Sequence, residues 1–186
     1  DGIMTVHNFY KEKVDEPAKG RQTLTIGNDA SILTEAHNDQ DHTIQDGNGE
    51  VEGVRLSHTD FTLGEGAQIQ TIATGTIPNA FGIYTDYHTQ AVIGNNLTNT
   101  VTAEGKVPFA IGIQVKNNKN QGEVDETVPN TLTIGERGKT VVSTIGDGID
   151  YTRGIDIEGG QVILKDNNTL QVSGTDTRTQ GNTAHT

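Results

Sequence analysis

The chain is predicted to be an all-β, right-handed parallel β-helix. It has three short strands per coil, about four full coils and partial coils at both ends. Three observations lead there. An apolar pair meets a glycine four times, in Leu24-Thr25-Ile26-Gly27, Phe61-Thr62-Leu63-Gly64, Ala91-Val92-Ile93-Gly94 and Leu132-Thr133-Ile134-Gly135. A second glycine, 18 to 26 residues on, opens another short apolar strand: Gly53-Val54-Arg55-Leu56, Gly82-Ile83-Tyr84-Thr85, Gly112-Ile113-Gln114-Val115 and Gly154-Ile155-Asp156-Ile157. No stretch carries an apolar period of 3.6 residues. A self-similar period near 30 residues describes stacked units rather than one wound core.

The first strand of each unit alternates with period two, as a strand does. Inward go Leu24 and Ile26, Phe61 and Leu63, Ala91 and Ile93, Leu132 and Ile134; outward go Thr25, Thr62, Val92 and Thr133. A fifth copy, Val162-Ile163-Leu164-Lys165, has lysine where glycine stood and turns Ile163 outward. The second strand follows at fixed offsets from that position. Five residues on stand Ile32, Ile69, Asn99, Thr140 and Leu170; seven on stand Thr34, Thr71, Val101, Val142 and Val172; nine on stand Ala36, Ala73, Ala103, Thr144 and Gly174. Many are β-branched, which suits a pleated, half-buried surface. The third strand is led by the second glycine, with Val54/Leu56, Ile83/Thr85, Ile113/Val115 and Ile155/Ile157 inward.

Three short strands cannot stand alone. They close a core when each pairs with its equivalent about 4.8 Å away in the next coil. The winding sense follows from the chirality of parallel crossovers. Corner sequences such as Gly27-Asn28-Asp29 and Gly94-Asn95-Asn96 tolerate left-handed backbone. Gly2-Ile3-Met4-Thr5-Val6 reads as another third strand. Residues 8–22 and 116–130 are then long loops at one corner. The chain opens partway through one coil and stops partway through another, near Gly181, and it begins at Asp1 rather than Met. The expectation is a single β-helix domain over 1–186, cut from a longer solenoid.

Composition narrows function less. Of 186 residues 31% are hydrophobic and the net charge is −12, values that in an unpatterned chain would suggest disorder. The alternation of the apolar residues argues against it. Thirteen Lys and Arg among 25 Asp and Glu repel a phosphate backbone, so no nucleic-acid partner is expected. No segment reaches the ~20 apolar residues of a spanning helix, and no direct membrane insertion is expected. No signal peptide is recognisable. There is no cysteine, so disulfide pairing says nothing about compartment.

Leu132-Thr133-Ile134-Gly135, Thr140-Val141-Val142-Ser143 and Gly154-Ile155-Asp156-Ile157, repeated across almost the whole chain, resemble the passenger regions of bacterial autotransporters. Those are secreted right-handed β-helices of pectin-lyase-like architecture. The shared features are the style of repeat, its Thr, Asn and Gly content and the lack of cysteine. The resemblance implies display at the cell surface of a Gram-negative-type bacterium, or release outside it, with roles in adhesion, self-association or biofilm. The C-terminal translocator barrel of that family is not within this sequence.

Chemistry could sit in four places. Arg55, Tyr84, Gln114 and Asp156 form an outward ladder on the third strands. It reads either as an ordinary solvated face or as a track for an extended glycan or peptide. The long loops bring Lys11 and Lys13, and Lys116 and Lys119, to one corner, either as binding loops or as tolerated insertions. His58 and His88, in corresponding turns, would stand about 5 Å apart; two imidazoles without a third ligand fit exposed turn residues better than a metal site. The acidic stretch 37–50 offers oxygen donors to calcium but lacks a complete calcium-loop pattern, and Gly146-Asp147-Gly148-Ile149-Asp150 is weaker still. No cofactor is therefore expected. Asp147, Asp150 and Asp156, with Arg153 nearby, form the tight acidic group a polysaccharide hydrolase or lyase would need. The expected function is non-catalytic adhesion or self-association, with a surface glycan or protein of host or bacterium, or a second copy, as partner. A polysaccharide-cleaving enzyme and a spacer stalk are the alternatives.

Overall fold

The computed structural model describes residues 2–5, 22–38, 49–116 and 130–177. They form a right-handed parallel β-helix. A lone strand, β1 (Ile3–Thr5), comes first. The first coil is β2 (Gln22–Ile26), β3 (Ser31–Asn38) and β4 (Glu50–Ser57); the second is β5 (Thr59–Leu63), β6 (Gln68–Thr76) and β7 (Asn79–Asp86). The third is β8 (Gln90–Ile93), β9 (Thr98–Lys106) and β10 (Phe109–Lys116); the fourth is β11 (Thr131–Ile134), β12 (Lys139–Gly146) and β13 (Tyr151–Glu158). The last two strands are β14 (Gln161–Leu164) and β15 (Thr169–Asp176). Each coil contributes one strand to each of three parallel sheets: sheet A is β1-β4-β7-β10-β13, sheet B is β2-β5-β8-β11-β14 and sheet C is β3-β6-β9-β12-β15.

The register is the one the glycine offsets predict. Ile32, Ile69, Asn99, Thr140 and Leu170 pair across sheet C, as do Thr34, Thr71, Val101, Val142 and Val172. The inward residues of β4, β5, β7, β8, β10 and β11 are buried, Phe61, Leu63, Leu56, Ile83, Ile113 and Leu132 among them. Each large apolar side chain so placed contributes about 1.5–3 kcal/mol of transfer free energy. In the last coil the inward-facing Ile157, Leu164, Leu170 and Val172 are exposed.

The third strand departs from expectation. It begins three residues before its glycine, so Gly53, Gly82, Gly112 and Gly154 lie inside β4, β7, β10 and β13. At the bend there, two successive positions face the interior. A Cβ on Gly53 would meet Ile69 Cγ2 at 2.6 Å and the carbonyl of Gly82 at 2.7 Å; one on Gly112 would meet Thr140 Cγ2 at 2.5 Å. The bend points carbonyls inward, and side chains from sheet C cap them. Thr71 donates to the Phe81 carbonyl at 3.1 Å, and Asn99 Nδ2 to the Gly112 carbonyl at 2.9 Å. This polar seam divides the core into two apolar clusters. The larger contains Val54, Leu56, Phe61, Ile83 and Ile113; the smaller contains Val51, Ala73, Ala80, Val101 and Ala110.

The turn between sheets B and C repeats one left-handed residue per coil: Asp29, Gly66, Asn96, Arg137 and Asn167, with φ between 57° and 74°. Its asparagines bridge coils. Asn28 Oδ1 accepts from the Glu65 backbone at 3.0 Å and Asn95 Oδ1 from that of Glu136 at 2.9 Å.

Candidate functional site

The outer face of sheet A holds the predicted ladder. Arg55 pairs with Tyr84, Tyr84 with Gln114 and Gln114 with Asp156, and Met4 of β1 begins the row. Adjacent members stand one strand apart, about 4.8 Å. The expected solvated surface is not what results in the middle coils. Tyr84 is 6% exposed and Gln114 3%. Tyr84 belongs to an outward apolar cluster with Phe81 and Ile111, its ring 5.4 Å from that of Phe81.

Arg55 is the hub of the first half of this face. Its Nη1 lies 3.2 Å from Glu52 Oε1 and 3.4 Å from Glu50 Oε2, and its Nη2 lies 4.0 Å from Asp86 Oδ2. The guanidinium also sits 5.0 Å above the Tyr84 ring, a cation–π contact. Asn79 Nδ2 donates to Glu50 Oε1 at 2.8 Å. Glu52 is 1% exposed and Asp86 2%. Burial pushes the Glu52 carboxyl from its ordinary 4.5 up to about 7, with Arg55 opposing and Glu50 and Asp86 adding to the rise. Burial likewise raises Asp86, against the lowering effects of the Ser57 hydroxyl bond, Arg55 and Lys116. For Arg55, burial works against the charge, but Glu52, Asp86, Tyr84 and Glu50 outweigh it and the pKa rises.

The second half of the face is more open. Phe109 and Tyr151 pair across β10 and β13, and their rings stack 5.4 Å apart at 16°. Arg153 lies 4.7 Å over Tyr151 and donates to Asp156 Oδ1 at 2.8 Å. Gln114 Nε2 donates to Asp156 Oδ2 at 3.2 Å, and Lys116 Nζ is 3.5 Å from Glu158. The structure thus brings Arg55, Tyr84, Gln114, Asp156 and Lys116 onto one face. Lys11, Lys13 and Lys119 lie outside the described residues, as do most of both long loops and residues 39–48 of the acidic stretch.

Two other expectations are corrected. His58 is buried rather than exposed. It stacks on Tyr87 at 5.1 Å and meets His88 edge-on at 5.6 Å, and its Nδ1 is 3.2 Å from Ser57 Oγ. All three ring residues adopt positive φ, which folds the rings of successive coils together at this tight corner. Among the described residues no three His, Cys, Asp or Glu side chains gather as a metal site. The tight acidic group is also not Asp147, Asp150 and Asp156. Asp147 and Asp150 are exposed beside the corner, and Asp156 faces Arg153 and Gln114. The carboxylates that gather are Glu50, Glu52 and Asp86.

Sequence reading missed Glu52, Phe81 and Ile111 because strict alternation backward from Arg55 turns position 52 inward. The two inward positions at the glycine bend shift the phase and turn it outward. The signal was the apolar residue two positions before each of the first three glycines, Val51, Ala80 and Ala110, which marks the inward phase of the earlier segment. Asp86 was within reach, since it lies two residues beyond Tyr84 on the same face. Chemically, the cluster holds a guanidinium between carboxylates. A substrate bound between Glu52 and Asp86 would have to displace Arg55. Compared with known proteins, the chain matches no family model, no curated protein and no solved structure.

Proposed function

We propose that this chain is a non-catalytic β-solenoid of the autotransporter-passenger type, displayed at a bacterial cell surface, that mediates adhesion or self-association through the outer face of sheet A. One observation carries the reading. Among the described residues, this outer face sets aromatic, cationic, amide and carboxylate side chains in register across four coils. A rigid sheet with such a row meets an extended partner at several points without rearranging. The open half, with Phe109, Tyr151, Arg153 and Asp156, is the place of first contact. Attachment of cells displaying the chain to host matrix, or to one another, tests this. Arg153→Ala with Asp156→Ala should reduce attachment several-fold while the fold is kept; unchanged attachment refutes the role of the face. If removing 117–129 also leaves attachment unchanged, the spacer reading gains.

Polysaccharide cleavage is the second reading, favoured by the raised Glu52 carboxyl, which would remain an acid near neutral pH. Its test is release of reducing ends or unsaturated products from a panel of acidic and neutral polysaccharides. Product formation abolished by Glu52→Gln would establish it in place of adhesion.

A further inference from the structure

One row of the sheet A face stays open to solvent. Glu50, Asn79, Phe109 and Tyr151 are the first residues of β4, β7, β10 and β13, and they pair in turn, about 4.8 Å apart. In the next row Glu52, Phe81 and Ile111 are sealed. Here Phe109 is 38% exposed and the Glu50 side chain 31%, with Asn79 and Tyr151 half-buried. One aromatic face is free. Tyr151 stacks on Phe109 from the β13 side, at 5.4 Å and 16°, so the opposite face of Phe109 looks toward β7. Asn79, its partner there, leans the other way and donates from Nδ2 to Glu50 Oε1 at 2.8 Å. Among the described residues Phe109 meets no other ring and no cation, and Asn79 Oδ1 accepts no hydrogen bond. The three side chains frame a notch. The free face of Phe109 is one wall, the Glu50 carboxylate is the other and the Asn79 amide is the floor. The walls stand on strands two spacings apart, about 9.6 Å. A single ring fits between them, about 4 Å from Phe109, with its substituents directed at the Glu50 oxygens.

We propose that this notch is a subsite for one neutral pyranose ring of a surface glycan. A pyranose with equatorial hydroxyls carries C–H bonds on its flat faces and hydroxyls around its rim. The C–H face packs on the electron-rich face of Phe109. The rim hydroxyls donate to Glu50 and to Asn79 Oδ1, and accept from the second Nδ2 hydrogen of Asn79. Glu50 takes these bonds without losing its own. A carboxylate has about four acceptor sites, and Asn79 and Arg55 occupy one on each oxygen. A cation would find Glu50 already paired with Arg55. An acidic sugar is opposed by Glu50 and by the net charge of −12. An apolar side chain of a partner protein would leave the Glu50 wall and the Asn79 floor without bonds. The inference rests on the proposed binding role of this face and names its ligand class.

The test is a titration of isotopically labelled protein with cellotetraose, a neutral glucan, and with tetragalacturonate, an acidic one. NMR follows the Asn79 side-chain amide and the Phe109 ring. Saturable shifts at both groups are expected with cellotetraose, and binding of tetragalacturonate should be roughly tenfold weaker or more. Phe109→Ala should weaken cellotetraose binding roughly tenfold or more, and Phe109→Tyr, which keeps a ring face, should restore it. Asn79→Ala gives an independent second variant and should weaken binding several-fold. A cellotetraose response that does not saturate in the wild-type protein overturns the subsite, as does equal affinity in folded Phe109→Ala or folded Asn79→Ala. Equal or tighter binding of tetragalacturonate overturns the assignment to a neutral sugar. Surface attachment without sugar binding defeats only this inference, and sugar binding without attachment defeats only the adhesion reading.

Discussion

Replacing Glu52 by glutamine should flatten the pH dependence of stability and raise stability at alkaline pH. In the unfolded chain this carboxyl loses its proton near its ordinary 4.5; in the fold it keeps it to about 7. Between those values the folded state binds the extra proton, so stability falls as pH rises through the window. Below 4.5 both states are protonated and the residue costs nothing. Above 7 both are ionised, and the gap from 4.5 to 7, at 1.36 kcal/mol per pKa unit, sets a cost of up to about 3 kcal/mol. Asp86 is shifted in the same direction and adds to the same slope. Glu52→Gln keeps the side-chain shape, and Arg55 retains Glu50 and Asp86 as partners. Urea unfolding of both proteins from pH 4 to 8.5 is the assay. The variant should match the wild type near pH 4.5 and exceed it by up to about 3 kcal/mol near pH 8. A difference independent of pH, or wild-type stability that rises across the window, would refute the assignment of burial as the dominant cause. A carboxyl carbon titration of Glu52 by NMR should place its midpoint near 7.

Other perturbations follow from the fold. Gly82→Ala would drive its Cβ against Asn99 Oδ1 and to 2.6 Å from the Gly112 carbonyl, so a loss of about 1–3 kcal/mol or more is expected in chemical denaturation. Phe61→Ala empties a fully buried position of the larger apolar cluster and should cost about 3–5 kcal/mol by the same measurement. Arg137 holds φ 57° in an exposed turn, so Arg137→Gly should stabilise the fold by up to about 1 kcal/mol after loss of its Asn96 hydrogen bond, seen as a higher midpoint of thermal unfolding. An unchanged or lower midpoint would mean that bond outweighs the backbone relief.

The architecture was legible because a coil repeats its constraints. Each first-strand glycine sets the phase of the next strand, so the pairing of Thr34, Thr71, Val101, Val142 and Val172 could be written down without coordinates. The ladder from Arg55 to Asp156 was legible for the same reason. Its burial was not. Alternation says which way a side chain points relative to the core, not whether anything lies over it, and Tyr84 and Gln114 point outward and are still buried. The in-strand bend was also hidden, because a glycine that opens a strand and one that bends it leave the same residue in the sequence. That error in phase is what hid Glu52.

The three outer faces share one backbone repeat and differ in what they carry. Sheets B and C present isolated apolar residues to solvent, such as Val92, Ile163, Leu33 and Ile145, between polar ones, as ordinary protein surfaces do. Sheet A instead buries two carboxylates around one arginine and leaves acceptors on Asp86 and Gln114 without donors. Burying paired charge seldom gains stability, and well-packed apolar residues of similar volume often do better. Orphaned acceptors cost more still. Coil stacking does not require a buried arginine–carboxylate cluster, because sheets B and C stack in the same register and hold none among the described residues. Unpartnered buried oxygens also occur on sheet C, at Thr34 and Asn99, so it is the arginine with its two buried carboxylates that sets the outer face of sheet A apart among the described residues, and selection for what that face binds best explains it.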